Sequence, residues 1–272
     1  MLLAITHLPS PRIEHCQLTY VARTAIDYQR AWRQHEAYCQ TLRECGAVVR
    51  RLDGNLEMPD CAFVEDTAIV LDEAAVLASM GVASRRAETA IIETELSRYR
   101  QVHRIDPPGT IEGGDVLQVG KTLLVGRSPR TNEEGIRALD GIVRRFNYRV
   151  IPVPVRGCLH LKSACTALDD ETLLLNPRWL DAETLAGYRR VEVDEHEPWA
   201  GDVARVKNRL CVSAAHPRTA QKIAALGYQL ETIDLSEFAK AEAGPTCLSI
   251  LLNVEARQVE ATEGRTPGET TP

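Results

Sequence analysis

Short stretches of alternating apolar and polar residues, each broken by a turn, recur along the chain. Apolar or β-branched runs flank the turn pairs Asp72-Glu73, Gly120-Lys121, Asp169-Asp170 and Lys207-Asn208. This pattern is typical of β-hairpins. We predict five hairpins, which begin at Cys61, Asp115, Ser163, Val203 and Cys247.

Segments with the 3.6-residue spacing of amphipathic helices lie between the hairpins. The spacing predicts helices over 28–45, 84–100, 131–146 and 217–226, and a weaker helical pattern covers 176–188. Gly46 and Gly227 directly follow two of these helices as stop signals, and Ser84 is positioned to cap another. The N-terminal sequence MLLAITHL predicts a first strand.

The spacing of the hairpins suggests a repeated module. Their starts are separated by 54, 48, 40 and 44 residues, and a period in this range predicts an array or a propeller. An ordinary mixed α+β sandwich with unevenly spaced hairpins explains the same spacing equally well. No Gly/Ser linker or change of composition divides the chain, so we predict a single domain over 1–257. The polar C-terminal sequence predicts that 258–272 are disordered.

Composition and charge narrow the class of protein. The 272 residues are 44% hydrophobic and 26% charged, and the formal net charge is −6, which is ordinary for a globular protein. An acidic chain lacks the basic stripe that binds nucleic-acid phosphates, and no apolar run reaches the roughly 18–20 residues of a membrane helix. The N-terminus has no basic segment of the kind that begins a signal peptide. We therefore predict a cytoplasmic protein with neither a nucleic-acid nor a membrane partner.

The eight cysteines show no pattern of a metal site or a disulfide framework. No two of them have zinc-ligand or thioredoxin-like spacing, and a core of this size needs no disulfides. We predict reduced thiols, most of them buried as small hydrophobic side chains, and no metal.

Three carboxylates stand in a segment that enters a predicted core. Asp60, Glu65 and Asp66 are interleaved with Phe63 and Val64, and the apolar run TAIVL follows directly. Buried, unpaired carboxylates are destabilising, so a cation is expected beside them, and a planar guanidinium or amidine pairs with two carboxylates at once. The alternative is a solvated acidic loop.

Two further clusters at hairpin starts carry residues suited to catalysis. Glu112 and Asp115 enclose two glycines, which favour a close backbone approach, and either carboxylate can orient a histidine. His160 lies in the apolar stretch GCLHLKSAC, and Cys247 follows a Gly-Pro-Thr turn. At equivalent places in a repeat, Cys247 and His160 form a nucleophile and proton-transfer pair. The alternative is that both are ordinary core residues.

Two arginines follow hairpins directly. Arg85 lies at a predicted helix start and Arg130 in the sequence RSPRTN. A clamp on a ligand carboxylate is one interpretation, because arginine binds carboxylates bidentately. Two solvated surface side chains are the alternative.

Six motifs together resemble one family in register. The sequences PDCAFVEDTAIV, SRR, EGGDVL, SPRTN, LHLKSACT and LSEFAKAEAGPTCLSILL resemble those of the dimethylarginine dimethylaminohydrolases, which belong to the guanidino-modifying (pentein) superfamily. The resemblance runs from about Leu18 to about Asn253. It implies a five-bladed α/β propeller of ββαβ modules around a pseudo-fivefold axis.

The resemblance also implies an activity and a set of site residues. The reaction is hydrolysis of Nω-methylated arginine to citrulline and a methylamine through a thiouronium intermediate on Cys247, with no cofactor. His160 is implied as the general acid/base and Glu112 as the carboxylate that holds it. Contacts to the substrate are implied for Glu65 and Asp66 (guanidinium), Asp60 and the Leu18 backbone (amino end), Arg85 and Arg130 (α-carboxylate) and Phe63 (channel wall).

One position departs from the family pattern. Asp202 follows the residues Trp-Ala-Gly, where the family tends to have small residues followed by asparagine. What the extra carboxylate contributes is left open by the sequence.

Other functions remain compatible with these residues. Another guanidine-modifying enzyme, such as an arginine deiminase or an amidinotransferase, shares the cysteine, histidine and acidic residues. A non-catalytic cationic amino-acid binding protein and a redox-sensing thiol protein are the alternatives from other classes. Arg85 and Arg130 favour a free amino acid over a decarboxylated substrate such as agmatine. The sequence leaves open whether the chain forms a homodimer.

Overall fold

A computed structural model describes residues 1–256 and residue 258 of the chain. Fifteen strands occur within these residues, in five sheets of three strands each. The strands are β1 (Leu2–His7), β2 (Val48–Leu52), β3 (Ala68–Val70), β4 (Ala74–Leu77), β5 (Gln101–Arg104), β6 (Val116–Val119), β7 (Thr122–Arg127), β8 (Arg149–Pro154), β9 (Cys165–Ala167), β10 (Thr172–Leu175), β11 (Arg189–Glu192), β12 (Ala204–Val206), β13 (Arg209–Ser213), β14 (Gln229–Ile233) and β15 (Ile250–Asn253).

The helices are short and connect the strands. They are α1 (Tyr28–Glu44), α2 (Thr89–Leu96), α3 (Glu133–Val143), α4 (Leu161–Ala164), α5 (Pro217–Ala225) and α6 (Ser236–Ala239). In the part of the chain described, none of them has both the length and the apolar character needed to cross a membrane.

The five sheets share one topology. In each, two antiparallel strands are followed by a crossover and a third strand parallel to the second, as in β3–β4–β5 and β6–β7–β8. The crossover is α2 or α3 in these two modules, α5 in the fourth and α1 in the fifth. The fold is a five-bladed α/β propeller of ββαβ modules, which confirms the prediction from hairpin spacing and resemblance.

The predicted fifth hairpin is wrong. Within the described part of the stretch after Cys247 only β15 forms, and it pairs antiparallel with β1, so that Leu2 lies opposite Asn253. Hydrogen bonds between the backbones of Met1 and Val254, at 2.7 and 2.8 Å, extend this pairing. The two ends of the chain therefore build the fifth module together.

The sequence pattern explains α1 well and α2 less well. The Asp27 side chain accepts a hydrogen bond from the Arg30 N–H at the start of α1, and Gly46 follows the helix with φ +84°, as helix stop signals do. The predicted helix 84–100 instead begins as a 3₁₀ turn, Ala83–Glu88. Ser84 lies inside this turn and caps neither helix, so its predicted role as N-cap is wrong. The weak pattern over 176–188 yields only a 3₁₀ turn, Ala182–Leu185.

Buried aliphatic side chains join each helix to its sheet. Ile92 and Leu96 of α2 pack with Leu77 of β4 and Leu3 of β1, which belongs to the neighbouring module. Burying a side chain of this size contributes about 1.5–3 kcal/mol, so such clusters hold adjacent modules together. The predicted disordered tail 258–272 lies outside the described residues apart from residue 258, and the domain boundary at 257 stays a prediction.

Candidate active site

Predicted site residues from separate modules meet at one narrow cavity. His160 and Cys247 both line it, together with Asp66 and Arg130. The cavity volume is about 20 Å³, which is space for about one water molecule. Asp60, Phe63 and Arg85 complete the predicted part of the lining, whereas Leu18, Glu65 and Glu112 lie outside it.

His160 is held by Glu112. The Glu112 side chain is fully buried just before β6, and its Oε2 lies 2.7 Å from His160 Nε2. Its other oxygen, Oε1, accepts a hydrogen bond of 3.0 Å from the Gly81 N–H. His160 directly precedes α4, and Asp115 accepts a 2.9 Å hydrogen bond from the N–H of Leu161. Glu112 therefore orients the imidazole directly, and Asp115 positions the backbone that carries it.

The two glycines after Glu112 allow this close packing. A Cβ on Gly114 would lie 2.6 Å from His160 Nδ1, and a Cβ on Gly113 would lie 2.0 Å from the Glu65 carbonyl oxygen. Both distances are shorter than side chains tolerate, so the prediction that these glycines permit a close backbone approach is confirmed.

Three carboxylates favour a protonated His160. Burial opposes the charge, but Asp66, Asp115 and Glu112 outweigh it and raise the pKa of the imidazole to about 9. His160 Nδ1 lies 3.6 Å from Asp66 Oδ1. At neutral pH the site thus contains an imidazolium, which is a ready proton donor.

Removing the Glu112 charge is expected to lower the pKa of His160. Glu112→Gln keeps the shape and one acceptor oxygen, but a neutral neighbour stabilises the imidazolium less, so the pKa should fall by about one unit or more. An NMR titration of the His160 ring measures it. Glu95→Gln, a buried carboxylate on α2 outside the site, is the control, and an unmoved His160 titration in Glu112→Gln would contradict the assignment.

Cys247 lies in the turn that precedes β15. Its carbonyl oxygen accepts a hydrogen bond of 3.2 Å from the Glu65 N–H, and its Sγ lies 3.7 Å from Asp202 Oδ2. Cys247 is the one partly exposed thiol among eight free cysteines. Burial in the cavity, and then the carboxylates of Asp202, Glu65 and Asp66, raise the pKa of the thiol well above its usual value. The Cys247 side chain is therefore a neutral thiol.

Asp66 and Arg85 form a buried ion pair beside the histidine. Arg85 Nη1 lies 2.7 Å from Asp66 Oδ2, and Arg85 also pairs with Glu88 at 2.9 Å and donates to the Phe63 carbonyl oxygen at 3.2 Å. Burial disfavours the Asp66 charge, but His160 and Arg85 hold the pKa of the carboxyl below its usual value. Asp66 Oδ1 has no hydrogen-bond partner among the described residues.

Arg85 and Arg130 differ in how many of their side-chain N–H groups are already hydrogen-bonded. Most N–H groups of Arg85 are engaged by Asp66, Glu88 and Phe63. Arg130 Nη1 has no hydrogen-bond partner in the described part of the chain, although Glu112 Oε1 lies 3.5 Å away. Arg130 is therefore the better placed of the two to receive a ligand carboxylate, and Arg85 acts on the charge of Asp66.

Glu65 does not line this cavity. Its Oε1 pairs with Lys162 Nζ at 2.5 Å, and both residues line a second cavity of about 240 Å³ with residues of β3, β6, β12 and β15. Burial raises the pKa of Glu65, and Lys162 partly offsets this. The structure thus separates Glu65 from Asp66, which the sequence grouped together, and Lys162 is a partner that sequence reasoning missed.

Glu242 is a second residue that sequence reasoning missed. Its carboxylate accepts hydrogen bonds from the N–H groups of Thr19 (3.0 Å), Tyr20 and Val21 (2.5 Å), and its own backbone has φ +60°. Asp60 accepts another bond from this segment, from the Gln17 N–H at 3.0 Å. The segment 17–21, which includes the half-buried Leu18, is therefore fastened against the cavity.

We expect Glu242→Gln to loosen the segment 17–21. Hydrogen bonds to a carboxylate are stronger than those to an amide, so exchange of the Thr19, Tyr20 and Val21 amides should accelerate at least about tenfold. Hydrogen–deuterium exchange measures this. Glu237→Gln removes another buried carboxylate nearby, on α6, and should leave the three amides unchanged; equal rates in Glu242→Gln and the wild type would exclude the anchoring role.

Asp66, Glu112 and His160 also have the spacing of metal ligands. One donor atom from each lies within 4.8 Å of the others. Arg85 and Arg130 already face the two carboxylates, and a divalent cation between two guanidiniums is disfavoured by charge repulsion. We therefore assign no metal to this cluster.

Comparison with known sequences identifies similar enzymes. The sequence model of the arginine deiminase family matches residues 55–210. The chain is 38% identical over 250 residues to a dimethylarginine dimethylaminohydrolase of Streptomyces coelicolor, which covers 92% of this chain and 96% of that protein. A second one, from Pseudomonas aeruginosa, is 34% identical over 226 residues, or 82% of this chain and 89% of that protein.

Solved structures give the same result. The Pseudomonas aeruginosa dimethylarginine dimethylaminohydrolase, as a cysteine-to-serine variant complexed with citrulline, superposes with a TM-score of 0.87 at 32% identity over 92% of this chain and 98% of that one. A histidine-to-glycine variant of a dimethylarginine dimethylaminohydrolase, as an adduct with S-methyl-L-thiocitrulline, gives a TM-score of 0.86 at 32% identity over 93% and 100%.

Proposed function

The chain belongs to the dimethylarginine dimethylaminohydrolase family, and from this premise we propose that it hydrolyses Nω-methylated arginine to citrulline and dimethylamine or methylamine. The observation that carries the proposal is the meeting of Cys247, the Glu112-bound His160 and Asp66 at one cavity, where Asp66 Oδ1 accepts no hydrogen bond from the described residues. A binding protein needs a carboxylate for a guanidinium but neither a nucleophile nor an acid.

Asp66 supplies the recognition of the guanidinium in this proposal. Its free Oδ1 accepts an N–H of the substrate, while its Oδ2 stays paired with Arg85. Arg130 binds the α-carboxylate, and Asp60 and the Leu18 backbone receive the α-amino group. The Phe63 ring packs edge-on against Phe238 with centroids 6.4 Å apart and forms an apolar wall. Glu65 is a second candidate for a contact to the guanidinium, because its buried Oε2 has no hydrogen-bond partner among the described residues, and its backbone N–H positions the Cys247 carbonyl.

The first half of the reaction forms a covalent intermediate. The substrate cation beside Cys247 favours the thiolate, and the sulfur forms a bond to the central guanidinium carbon while the thiol proton passes to one of the carboxylates beside it. The protonated His160 then gives its proton to the departing methylamine nitrogen. The C–N bond breaks, and an S-alkylthiouronium remains on Cys247.

The second half releases the ureido product. His160, now neutral and still oriented by Glu112, accepts a proton from water as the oxygen attacks the thiouronium carbon. The C–S bond then breaks, the hydroxyl proton of the adduct passes to solvent and so to the released amine, and citrulline leaves. The imidazole already carries the proton that it took from water. The residues present account for both halves through proton transfer and covalent catalysis alone.

A panel of guanidino substrates tests the proposal. The purified chain is incubated with asymmetric dimethylarginine, monomethylarginine, arginine and agmatine, and citrulline and the released amine are quantified. We expect citrulline from the methylated arginines and little turnover of agmatine, which lacks the carboxylate that Arg130 binds. Preferred turnover of arginine with ammonia release would instead assign an arginine deiminase, and binding without product would assign a binding protein.

We also propose a cytoplasmic location, because all eight cysteines are free thiols, as a reducing compartment keeps them. Light scattering of the purified chain distinguishes a homodimer from a monomer.

A further inference from the structure

Asp202 is a buried carboxyl group that the proposed mechanism leaves unused. It lies two residues before β12 and is 8% exposed. Its Oδ1 accepts a 2.9 Å hydrogen bond from the Thr246 N–H, and its Oδ2 accepts the hydrogen bond of the Cys247 thiol, with an S–O distance of 3.7 Å. Oδ1 therefore fixes the position of the carboxyl group, and Oδ2 contacts the Cys247 thiol.

The backbone beside Cys247 is shaped to let Asp202 approach. A Cβ on Gly244 would lie 2.5 Å from the Asp202 carboxyl carbon and from Oδ2. Any residue larger than glycine at this position would push the carboxyl away from the thiol. Asp202 thus packs directly against the turn Gly244–Cys247, and this packing holds its carboxyl beside the thiol.

The thiol proton needs an acceptor other than His160, and this chain has a carboxylate for it where the family tends to have asparagine. His160 already carries a proton at neutral pH, with Nε2 facing Glu112 and Nδ1 facing Asp66. It must keep this proton for the departing amine. Glu65, the other nearby carboxylate, is paired with Lys162 at 2.5 Å. Asp202 Oδ2 is the acceptor to which the thiol of Cys247 donates.

We propose that Asp202 is the catalytic base that takes the thiol proton of Cys247 when the guanidinium is bound. The inference rests on the proposed function. As the C–S bond forms, the S–H bond breaks and its proton moves to Asp202 Oδ2, while the His160 proton goes to the leaving amine. When the C–S bond breaks in the second half, the proton returns from Asp202 to Sγ. The thiol and carboxyl together carry one proton at both ends of the cycle.

The surroundings of Asp202 suit this task. Burial and the nearby Glu65 charge raise the pKa of the Asp202 carboxyl to about 7, with Lys162 acting in the opposite direction. A base whose pKa lies near the working pH transfers protons most efficiently. The other titratable groups that face the pair are Asp66, on the Cys247 side, and His216 and Glu242, which share a cavity of about 210 Å³ with Asp202. Glu242 also lines the cavity of Cys247.

Asp202→Asn tests the assignment, because asparagine keeps the acceptor for the Thr246 N–H and loses the base. We expect kcat at pH 7 to fall about 100-fold or more with KM within about threefold, and kcat to recover as the pH rises and hydroxide removes the thiol proton. The pH dependence of Cys247 alkylation by iodoacetamide, measured without substrate, gives a second profile. Its midpoint should move to lower pH in Asp202→Asn, because the carboxylate that disfavours the thiolate is gone.

The two pH profiles separate a base from a merely structural residue. Glu197→Gln, a buried carboxylate of the same module that accepts backbone N–H groups of α5, is the matched control and should change neither profile. A kcat within threefold of the wild type at pH 7, or an unmoved alkylation midpoint, would overturn the role of Asp202. Wild-type protein that releases no citrulline would overturn the proposed function instead, and the alkylation midpoints would still decide whether Asp202 is coupled to the thiol.

Discussion

Cys247→Ser is expected to reduce citrulline release at least about 10⁴-fold. A serine hydroxyl is far harder to ionise than a thiol, and the site offers it no strong base, because His160 is already protonated and Asp202 has a pKa of only about 7. The variant should form no covalent intermediate. Turnover assays and intact-mass spectrometry in the presence of substrate measure both effects.

Ligand affinity should survive the same substitution. Recognition depends on Asp66 and Arg130, which the substitution does not touch, so Kd measured by calorimetry should stay within about tenfold of the wild type. Cys45→Ser, at a buried thiol that follows α1, is the control and should keep its turnover. Wild-type turnover by Cys247→Ser would remove the covalent mechanism altogether.

The alternation of apolar and polar residues predicted four of the five hairpins, and the fifth module shows what it cannot predict. Four hairpins appear where alternating runs flank a turn, because both strands and the turn lie within about fifteen residues of sequence. The fifth module takes β15 from one end of the chain and β1 from the other, and Met1 and Val254 are hydrogen-bonded across it. The pattern of residues within a short stretch of sequence cannot predict a pairing between strands at opposite ends of the chain. The pairing follows only from the need to close the ring of five modules.

The site was predictable where its residues stand at hairpin starts. His160, Glu112 and Cys247 were found this way, since equivalent places in a repeat face a common axis. Glu242 was not, because its role rests on a left-handed backbone conformation and on N–H groups more than 220 residues away. The separation of Glu65 from Asp66 was equally hidden, since adjacent residues in a 3₁₀ turn point in different directions.

Most of the buried carboxylates around the candidate active site have a cationic partner, which offsets their mutual repulsion. Asp66 is offset by Arg85 and His160, Glu112 by His160 and Arg130, and Glu65 by Lys162. Asp202, like Asp60 and Asp115, has no cation within ion-pair distance in the described part of the chain, and it is the carboxylate that accepts the hydrogen bond of the thiol. An unbalanced carboxyl beside the nucleophile is what a bound guanidinium would stabilise, so substrate binding and nucleophile activation are coupled electrostatically.

His160→Gly is expected to separate the two halves of the reaction. With dimethylarginine the first half should slow about 10³-fold or more, because an amine leaves only when it is protonated. With S-methyl-L-thiocitrulline the leaving group is a thiolate, which needs no proton. The first half should then proceed, and the thiouronium should accumulate on Cys247, because no imidazole is present to take a proton from the attacking water.

Intact-mass spectrometry and chemical rescue give the measurement. His160→Gly with S-methyl-L-thiocitrulline should show the mass of one bound amidine on Cys247, and the wild type should turn over without accumulating it. Added imidazole, which fits the space left by the ring, should restore part of the turnover with both substrates. His196→Gly, at an exposed histidine, should behave as the wild type. If His160→Gly processed both substrates at wild-type rates, the proton donor and acceptor would have to be another residue, and Asp66, 3.6 Å from the imidazole, would be the first to examine.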